Sequence, residues 1–133
     1  MAGAMCADDS DLTRDGILRG RLQLWQPKVG YRFAVDPLLL VHFIKQERRE
    51  EAQRAVDLGT GCGIAALALA LDLPSTEVIA VELQPRLAAL ARRNAEENGL
   101  SSRVRVVECD LDDKRVAKER LPGASAALSL IHI

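Results

Sequence analysis

The spacing of hydrophobic positions changes near residue 54. From there, short apolar runs alternate with segments that are apolar at helical spacing. In chain order, the predicted elements are a strand at Arg54–Leu58, a helix at Gly63–Leu71, a strand at Glu77–Glu82, a helix at Pro85–Asn98, a strand at Val104–Glu108 and a polar helix at Leu111–Arg120. Strict alternation of strands and helices is typical of βαβ units. The pattern therefore predicts an α/β fold with a parallel sheet.

A different pattern precedes this alternation. Residues 17–35 alternate between apolar and polar positions as in a hairpin, with the turn expected at Pro27-Lys28-Val29-Gly30. Asp36-Pro37 has the residue types of a helix N-cap and first turn, so an amphipathic helix is predicted from there to about Arg49. The predicted organisation is a disordered start, an N-terminal hairpin and helix, and the sheet domain, at residues 1–10, 11–53 and 54–127.

Composition is that of an ordinary soluble protein. The chain has 133 residues, enough for one domain or part of one, with 48% apolar and 28% charged residues. Its longest apolar stretch, Ile64–Leu71, is far shorter than the roughly 20 residues of a membrane span. We therefore expect no membrane contact and a cytoplasmic location. The cysteines show no CxxC or His-paired spacing, so neither a metal site nor a disulfide framework is predicted.

The turn after the first predicted strand of the sheet reads Asp57-Leu58-Gly59-Thr60-Gly61-Cys62-Gly63. Alternate glycines between a strand and a helix let the backbone turn sharply and let a ligand approach where a Cβ would collide. A dinucleotide fingerprint would need glycine at the position of Ile64, and no Gly-Lys-Ser/Thr of a Walker loop follows. The turn therefore predicts a nucleoside-like cofactor, held by Gly59, Gly61 and Gly63.

Three carboxylates lie at the ends of the three predicted strands: Asp57, Glu82 and Asp110. A carboxylate near the glycine turn would repel phosphate but attract the amino and sulfonium groups of S-adenosylmethionine. Glu82 can accept hydrogen bonds from both ribose hydroxyls, and Asp110 from the adenine amine. Each acid alone could be a strand-end charge or a helix N-cap. Together with the glycines, they predict an S-adenosylmethionine site at the carboxyl edge of the sheet.

These residues resemble the motifs of class I S-adenosylmethionine-dependent methyltransferases. Val56–Gly63 looks like the first motif of these enzymes, Glu82 like their second-strand acid and Cys109-Asp110 like their third motif. The resemblance implies a Rossmann-like parallel sheet. In this chain we expect that sheet to be truncated after about three strands and preceded by the N-terminal hairpin and helix.

The upstream segment carries a more specific resemblance. Leu12–Gly16 and Gln26–Leu40 resemble the N-terminal region of bacterial adenine-N6 methyltransferases that modify valine tRNA next to the anticodon. The resemblance implies methyl transfer to the exocyclic N6 amine of an adenine in tRNA.

Local charge in this segment is consistent with a tRNA partner. The net charge of −1 excludes a strongly basic protein, but Arg14–Ala34 combines an excess of basic residues with Trp25, Tyr31 and Phe33. Basic and aromatic residues together suit contact with a structured RNA. The alternative is a solvated hairpin whose aromatic residues pack on the core.

The resemblance also implies a motif that the sequence lacks. That family carries Asn-Pro-Pro-Tyr/Phe after its fourth strand, where it holds the target amine and stacks on the flipped base. No catalytic residue is therefore assigned here, and we expect an inactive N-terminal fragment. Residues 128–133, Leu-Ser-Leu-Ile-His-Ile, resemble the translated transposon end of a sequencing adapter and are expected to be a non-native tail. The alternative is a short apolar C-terminal strand.

Other functions share parts of the pattern. A methyltransferase acting on ribosomal RNA guanine or on protein glutamine would have the same cofactor half and a different target motif. An NAD-dependent oxidoreductase would need a glycine in place of Ile64. A non-catalytic interaction module is the third alternative, although a sheet cut short would leave an unpaired edge and exposed apolar faces.

Overall fold

Two sheets, one antiparallel and one parallel, form the framework of the protein. The computed structural model describes residues 9–29, 38–39, 41–42, 54–110, 112 and 126–129. A single turn of 3-10 helix at Asp9–Asp11 leads into the antiparallel hairpin of β1 (Leu12–Ile17) and β2 (Leu22–Pro27). The parallel sheet contains β3 (Arg54–Leu58), β4 (Glu77–Glu82), β5 (Val104–Glu108) and β6 (Ala126–Ser129), with the helices α1 (Ile64–Asp72) and α2 (Pro85–Glu97) between its strands.

The order of strands in the parallel sheet is β5-β4-β3-β6. The chain therefore builds outward from β3 through β4 to β5 and then returns to the other side of β3. This reversal is a topological switch point, and ligands of open α/β sheets bind in the crevice outside the carboxyl ends of the strands there. In this protein the residues after β3 begin the glycine turn.

Apolar side chains alternate between the two faces of the parallel sheet. On one face, Ala55, Val78 and Ala80 pack with α1, α2 and the hairpin residues Leu22 and Leu24 in the main core. On the other face, a second cluster is formed by Val56, Ile79, Val81, Val107 and Cys109. Burial on both faces explains why β4 is a continuous apolar run, Val78-Ile79-Ala80-Val81, instead of alternating with polar residues.

Helix α1 is apolar on all sides because it is buried. Its residues from Ile64 to Ala70 are all inaccessible to solvent. Its carboxyl end is closed by Arg103, whose guanidinium donates from Nη2 to the carbonyl of Ala70 at 2.6 Å and from Nη1 to those of Leu73 and Thr76, both at 3.1 Å. A cation at this end also interacts favourably with the helix dipole.

Helix α2 begins and ends at the residues that its sequence signals. Pro85 occupies its first turn, where the missing N–H costs nothing. After Glu97 the chain leaves the helix through Gly99, whose φ of 69° suits glycine, and the N–H of Leu100 donates to the carbonyl of Ala95 at 2.8 Å. The predicted helix to Asn98 is therefore confirmed to within one residue.

The three strands predicted for the parallel sheet are confirmed with the bounds given, and α1 lies one residue from its predicted position. The α/β fold class is confirmed. The sheet nevertheless has a fourth strand where about three were expected, because Ala126–Ser129 pairs in parallel with Ala55–Leu58. The predicted helix at Leu111–Arg120 lies outside the described residues except for Asp112, which is in a turn.

One hairpin turn of the structure was not predicted, whereas the predicted turn at residues 27–30 stays a prediction because Gly30 and its partner strand are outside the described residues. The unpredicted turn lies at Leu18–Arg21, so that Ile17 pairs with Leu22, and Pro27 belongs to β2. Leu18, Arg19 and Gly20 all have positive φ angles, of 52°, 56° and 80°, a conformation that ordinarily favours Gly or Asn. Gly20 is the residue type that signals this conformation, whereas Leu18 and Arg19 do not. The predicted partner strand at residues 31–35 lies outside the described part of the chain.

The N-terminal predictions hold in part. Leu38, Leu39, Val41 and His42 are helical, as predicted, while the rest of that predicted helix is outside the described residues. Asp9 and Ser10, expected to be disordered, belong to the short 3-10 helix. Among the residues that the structure describes, none forms a helix with the length and apolar character of a membrane span.

Candidate cofactor site

The glycine loop, residues Gly59–Gly63, connects β3 to α1. Its beginning is fixed to the end of the neighbouring strand, because the N–H groups of Gly59 and Thr60 both donate to the carbonyl of Val81, at 2.9 and 2.8 Å. The three glycines, Gly59, Gly61 and Gly63, have positive φ angles of 75°, 59° and 97°. The loop therefore adopts the left-handed backbone conformations that its glycines predicted.

The backbone conformation at Gly63 favours glycine. A Cβ built at Gly63 would lie 3.4 Å from the Cβ and 3.5 Å from the Cα of Ala91 on α2. The φ of 97° would strain any residue with a side chain. The preference for glycine here therefore comes from the backbone conformation, since a Cβ would make only ordinary van der Waals contact with α2.

Glu82, the last residue of β4, joins the glycine loop to the turn after that strand. Its Oε1 accepts a hydrogen bond from the Gly61 N–H at 2.9 Å, and its Oε2 accepts one from the Gln84 N–H at 2.8 Å. The residue is only 7% exposed. Because a carboxylate oxygen can accept more than one hydrogen bond, both oxygens retain capacity for a ligand.

Asp57 lies close to the loop. It is fully buried, and its Oδ2 accepts a hydrogen bond from the Thr60 hydroxyl at 2.7 Å. This hydrogen bond joins Asp57 to the loop that was expected to bind the cofactor. Its predicted role near the amino and sulfonium groups stays a prediction.

A cleft of about 330 Å³ opens at the carboxyl ends of β3, β4 and β5. It brings together three of the predicted residues, Gly59, Glu82 and Asp110, and its other lining residues are Val81, Leu83, Gln84, Cys109 and Asp112. Asp110 is exposed, and its Oδ1 accepts a hydrogen bond from the Asp112 N–H at 2.9 Å. Gly61, Gly63 and Asp57 are buried and are not among the residues that line this cleft.

The charge of this cleft decides between classes of ligand. Its described lining contains the carboxylates of Glu82, Asp110 and Asp112 and neither lysine nor arginine. Such a lining would repel a pyrophosphate and attract a positively charged nucleoside. The cleft and the Cβ-free loop therefore fit S-adenosylmethionine.

The comparison with protein families is decisive at this point. Residues 55–133 match the sequence model of a family described as a methyltransferase domain. The chain belongs to this methyltransferase family. The NAD-dependent oxidoreductase alternative is left without support. The hairpin of β1 and β2 precedes the matched residues.

Curated relatives of this methyltransferase domain include release factor glutamine methyltransferases. The relative from Deinococcus radiodurans is 44% identical over 93 residues, which cover 69% of this chain and 30% of the relative. The relative from Chlorobaculum tepidum is 33% identical over 96 residues, covering 61% of this chain and 33% of its own length. The chain therefore spans about a third of the length of these relatives.

Solved structures agree with the fold. A SAM-dependent methyltransferase from Agrobacterium tumefaciens superposes with a TM-score of 0.70 at 16% identity, covering 90% of this chain and 39% of the other. The Rossmann-like methyltransferase fold is confirmed, and so is S-adenosylmethionine as the cofactor of the domain. The resemblance to the valine-tRNA family is confirmed only at the coarser level of class I methyltransferases.

Sequence reasoning missed Leu83 as a residue of the methyltransferase cleft. It follows Glu82 directly, lines the cleft, and is 60% exposed although it is large and apolar. Its exposed side chain forms part of the apolar surface of the cleft. The signal was present in the sequence, because a single apolar residue separates the strand-end acid from the Gln84-Pro85 helix start.

The structure gives Trp25 contacts that a free stacking residue would not have. Its indole N–H donates to Glu97, and the guanidinium of Arg93 lies 4.1 Å from the ring centroid. That of Arg14 lies 6.0 Å away. Trp25 thus holds the hairpin on α2. This agrees with the alternative in which the aromatic residues of the hairpin pack on the core instead of contacting RNA. Tyr31 and Phe33 lie outside the described residues.

Proposed function

We propose that this chain is the cofactor-binding part of an S-adenosylmethionine-dependent N-methyltransferase whose first candidate substrate is the exocyclic N6 amine of an adenine in tRNA. The observation that carries the cofactor part is the acid-lined cleft beside the glycine loop, where Gly59, Glu82 and Asp110 meet. The substrate part rests on the resemblance of the upstream segment.

The residues of the cleft would hold the cofactor in complementary ways. Glu82 would accept hydrogen bonds from the ribose hydroxyls. Its two carboxylate oxygens are already held in place by the N–H groups of Gly61 and Gln84. Asp110 would accept a hydrogen bond from the exocyclic amine of the adenine, and Leu83 would contact the adenine ring. The Cβ-free loop would let the amino-acid end approach the backbone, with Asp57 fixing Thr60 of the loop.

The bound cofactor supplies an already activated methyl group on a sulfonium. The protein therefore needs mainly to position the acceptor nitrogen in line with that methyl group and to stabilise the charge that develops on nitrogen. No residue of this chain is proposed as a general base. The groups that hold the acceptor nitrogen are proposed to lie in the remainder of the protein, since the relatives extend well beyond this chain.

Basic residues on the hairpin support the tRNA candidate. Arg14, Arg19 and Lys28 are exposed on or next to β1 and β2, where they could contact phosphates. Arg21 is already close to Asp72, at 3.6 Å. The hairpin precedes the residues matched by the family model, so a substrate-recognition role would be an addition to the common domain.

A protein glutamine is the second candidate substrate. It is favoured by the release factor glutamine methyltransferases among the relatives, one of them 44% identical over 93 residues. Adenine N6 and a glutamine side-chain amide both present an sp² carbon-bound NH₂ group as acceptor. The same cofactor half could therefore act on either.

The deciding experiment tests the proposed cofactor and the proposed substrate in two separate measurements. Binding of S-adenosylhomocysteine to this chain is measured by calorimetry, and radiolabelled methyl transfer by the protein encoded by the full reading frame is measured on bulk tRNA, ribosomes and release factors. We expect cofactor binding, and incorporation into tRNA as N6-methyladenine. Incorporation into release factor alone would establish the second candidate, and absence of binding would remove the cofactor site.

A charge-reversal variant tests the hairpin in the same assay. The double variant Arg19→Glu with Lys28→Glu should raise the KM for tRNA and make that KM depend less steeply on salt concentration, because two phosphate contacts are lost. Cofactor affinity should not change, since neither residue lines the cleft. An unchanged KM would remove the hairpin from RNA recognition.

A further inference from the structure

Asn94 is a fully buried amide on α2 that contacts two separate parts of the protein. Its Oδ1 accepts the backbone N–H of Trp25 at 2.8 Å, and its Nδ2 donates to the carbonyl of Trp25 at 2.9 Å. The same Nδ2 donates to the carbonyl of Cys62, in the glycine loop, at 2.8 Å. One side chain thus bridges the N-terminal hairpin and the cofactor loop.

Asn98, one helical turn further along α2, makes the corresponding bonds to the hairpin only. Its Oδ1 accepts the N–H of Gln23 at 2.9 Å, and its Nδ2 donates to the carbonyls of Gln23 at 2.8 Å and Asn94 at 2.7 Å. The two asparagines pair with alternate residues of β2, in the manner of a neighbouring strand. They dock this strand edge on the methyltransferase domain.

The Cys62 carbonyl belongs to a peptide group that is held on both sides. Asn94 donates to its oxygen, while its N–H, which is that of Gly63, donates to the carbonyl of Thr60 at 2.9 Å. Peptide groups next to glycine rotate easily because no Cβ restricts them. Fixing this peptide therefore fixes the end of the loop, just as Val81 and Glu82 fix its beginning and middle.

Other contacts keep α2 and the hairpin together. Arg93 pairs with Asp9 at 2.8 Å and covers the Trp25 ring, and Arg86 pairs with Asp11. On its opposite side, α2 packs on Gly63 through Ala91. The hairpin, α2 and the end of the glycine loop therefore form one connected unit.

From this connection we infer that Asn94 is a positioning residue for the cofactor: it couples docking of the N-terminal hairpin to the shape of the glycine loop, so that the hairpin contributes to S-adenosylmethionine affinity without touching the ligand. The inference rests on the proposed cofactor site and goes beyond it. It assigns a role to an element that precedes the residues matched by the family model.

The test compares Asn94→Asp with Asn98→Asp. Each change keeps the size and an acceptor oxygen of the side chain but replaces an amide that donates two hydrogen bonds with a charged carboxylate, and only Asn94 donates to the glycine loop. Because Asn94 is fully buried, the neutral pair Asn94→Ser and Asn98→Ser is measured alongside to separate the lost hydrogen bonds from the added charge. Calorimetry with S-adenosylhomocysteine should show about tenfold weaker binding for Asn94→Asp and a change below about twofold for Asn98→Asp. Thermal unfolding of both variants gives the matched measure of stability.

Three results would overturn the inference. They are an unchanged affinity in Asn94→Asp, an equal loss of affinity in both variants, and no binding by the wild-type chain; the last would also remove the proposed function, whereas the first two would leave it standing. If Asn94→Asp does not fold, the comparison of Asn94→Ser with Asn98→Ser takes its place. Amide hydrogen exchange should then show faster exchange at Gly63 in the Asn94 variant than in the Asn98 variant.

Discussion

Glu82 and Gly61 are joined by a hydrogen bond of 2.9 Å from the Gly61 N–H to the Glu82 carboxylate. The acid that ends β4 is thus attached to the loop that follows β3. These two sequence motifs lie far apart along the chain but form a single structural unit. A change at Glu82 should therefore affect both the ligand contact and the loop that surrounds it.

The first prediction concerns this residue. Glu82→Gln should weaken binding of S-adenosylhomocysteine by roughly 10- to 100-fold, because hydrogen bonds to a charged acceptor contribute about 1.5–3 kcal/mol each. Calorimetry measures the affinity. Glu108→Gln is the control, since Glu108 ends the neighbouring strand, pairs with Arg92 at 2.8 Å and does not line the cleft. Equal affinities for the Glu82 variant and the wild type would remove Glu82 from the site.

The hairpin turn provides the second prediction. Arg19 has a φ of 56°, which Asn tolerates better than other residues with a side chain. Arg19→Asn should therefore have a free energy of unfolding about 0.5–1 kcal/mol higher than Arg19→Ala, which loses the same charge without that tolerance. Urea unfolding of both variants gives the difference. A more stable alanine variant would contradict the left-handed turn.

The third prediction concerns the cap of α1. Arg103→Met removes the hydrogen bonds to the carbonyls of Ala70, Leu73 and Thr76 and should lower the free energy of unfolding by about 2–3 kcal/mol. Arg103→Lys retains the charge but not the planar fork, so it should recover only part of that loss. Chemical denaturation measures both variants. If lysine proves equal to arginine, the helix dipole and not the hydrogen bonds would explain the effect.

The fourth prediction is a pH dependence at Asp9. The side-chain hydrogen bonds from Arg93, together with its charge, hold the pKa of Asp9 below its ordinary value of 3.8. A lowered folded-state pKa means that the ion pair stabilises the protein fully above about pH 3.8 and loses this contribution as the pH falls further.

The measurement follows from that sign. The Tm difference between the wild type and Asp9→Asn should be constant from neutral pH down to the ordinary Asp pKa and should shrink below it. The difference should be small and should diminish in high salt, because the pair is exposed. A difference that grows on acidification would contradict the pairing with Arg93.

The sequence by itself determined the parallel framework and the position of the candidate chemistry. The strand bounds around Val56, Val81 and Val107 follow from apolar runs between turn residues, and the bounds of α2 follow from Pro85 and Gly99. Carboxyl ends of parallel strands meet at one edge, so the sequence alone places residues such as Gly59, Glu82 and Asp110 together.

Only the tertiary structure decided which side chains face the cleft and which hold it in shape. Asp57 proved to be buried and bonded to Thr60 of the loop, and Trp25 proved to be covered by Arg93. Asn94 follows Leu90 and Ala91 on the buried stripe of α2, where its amide could have suggested a buried role but not its partners. Local sequence patterns report periodicity and turn chemistry, whereas these contacts join residues distant along the chain, and they form only when the helix, the hairpin and the loop pack together.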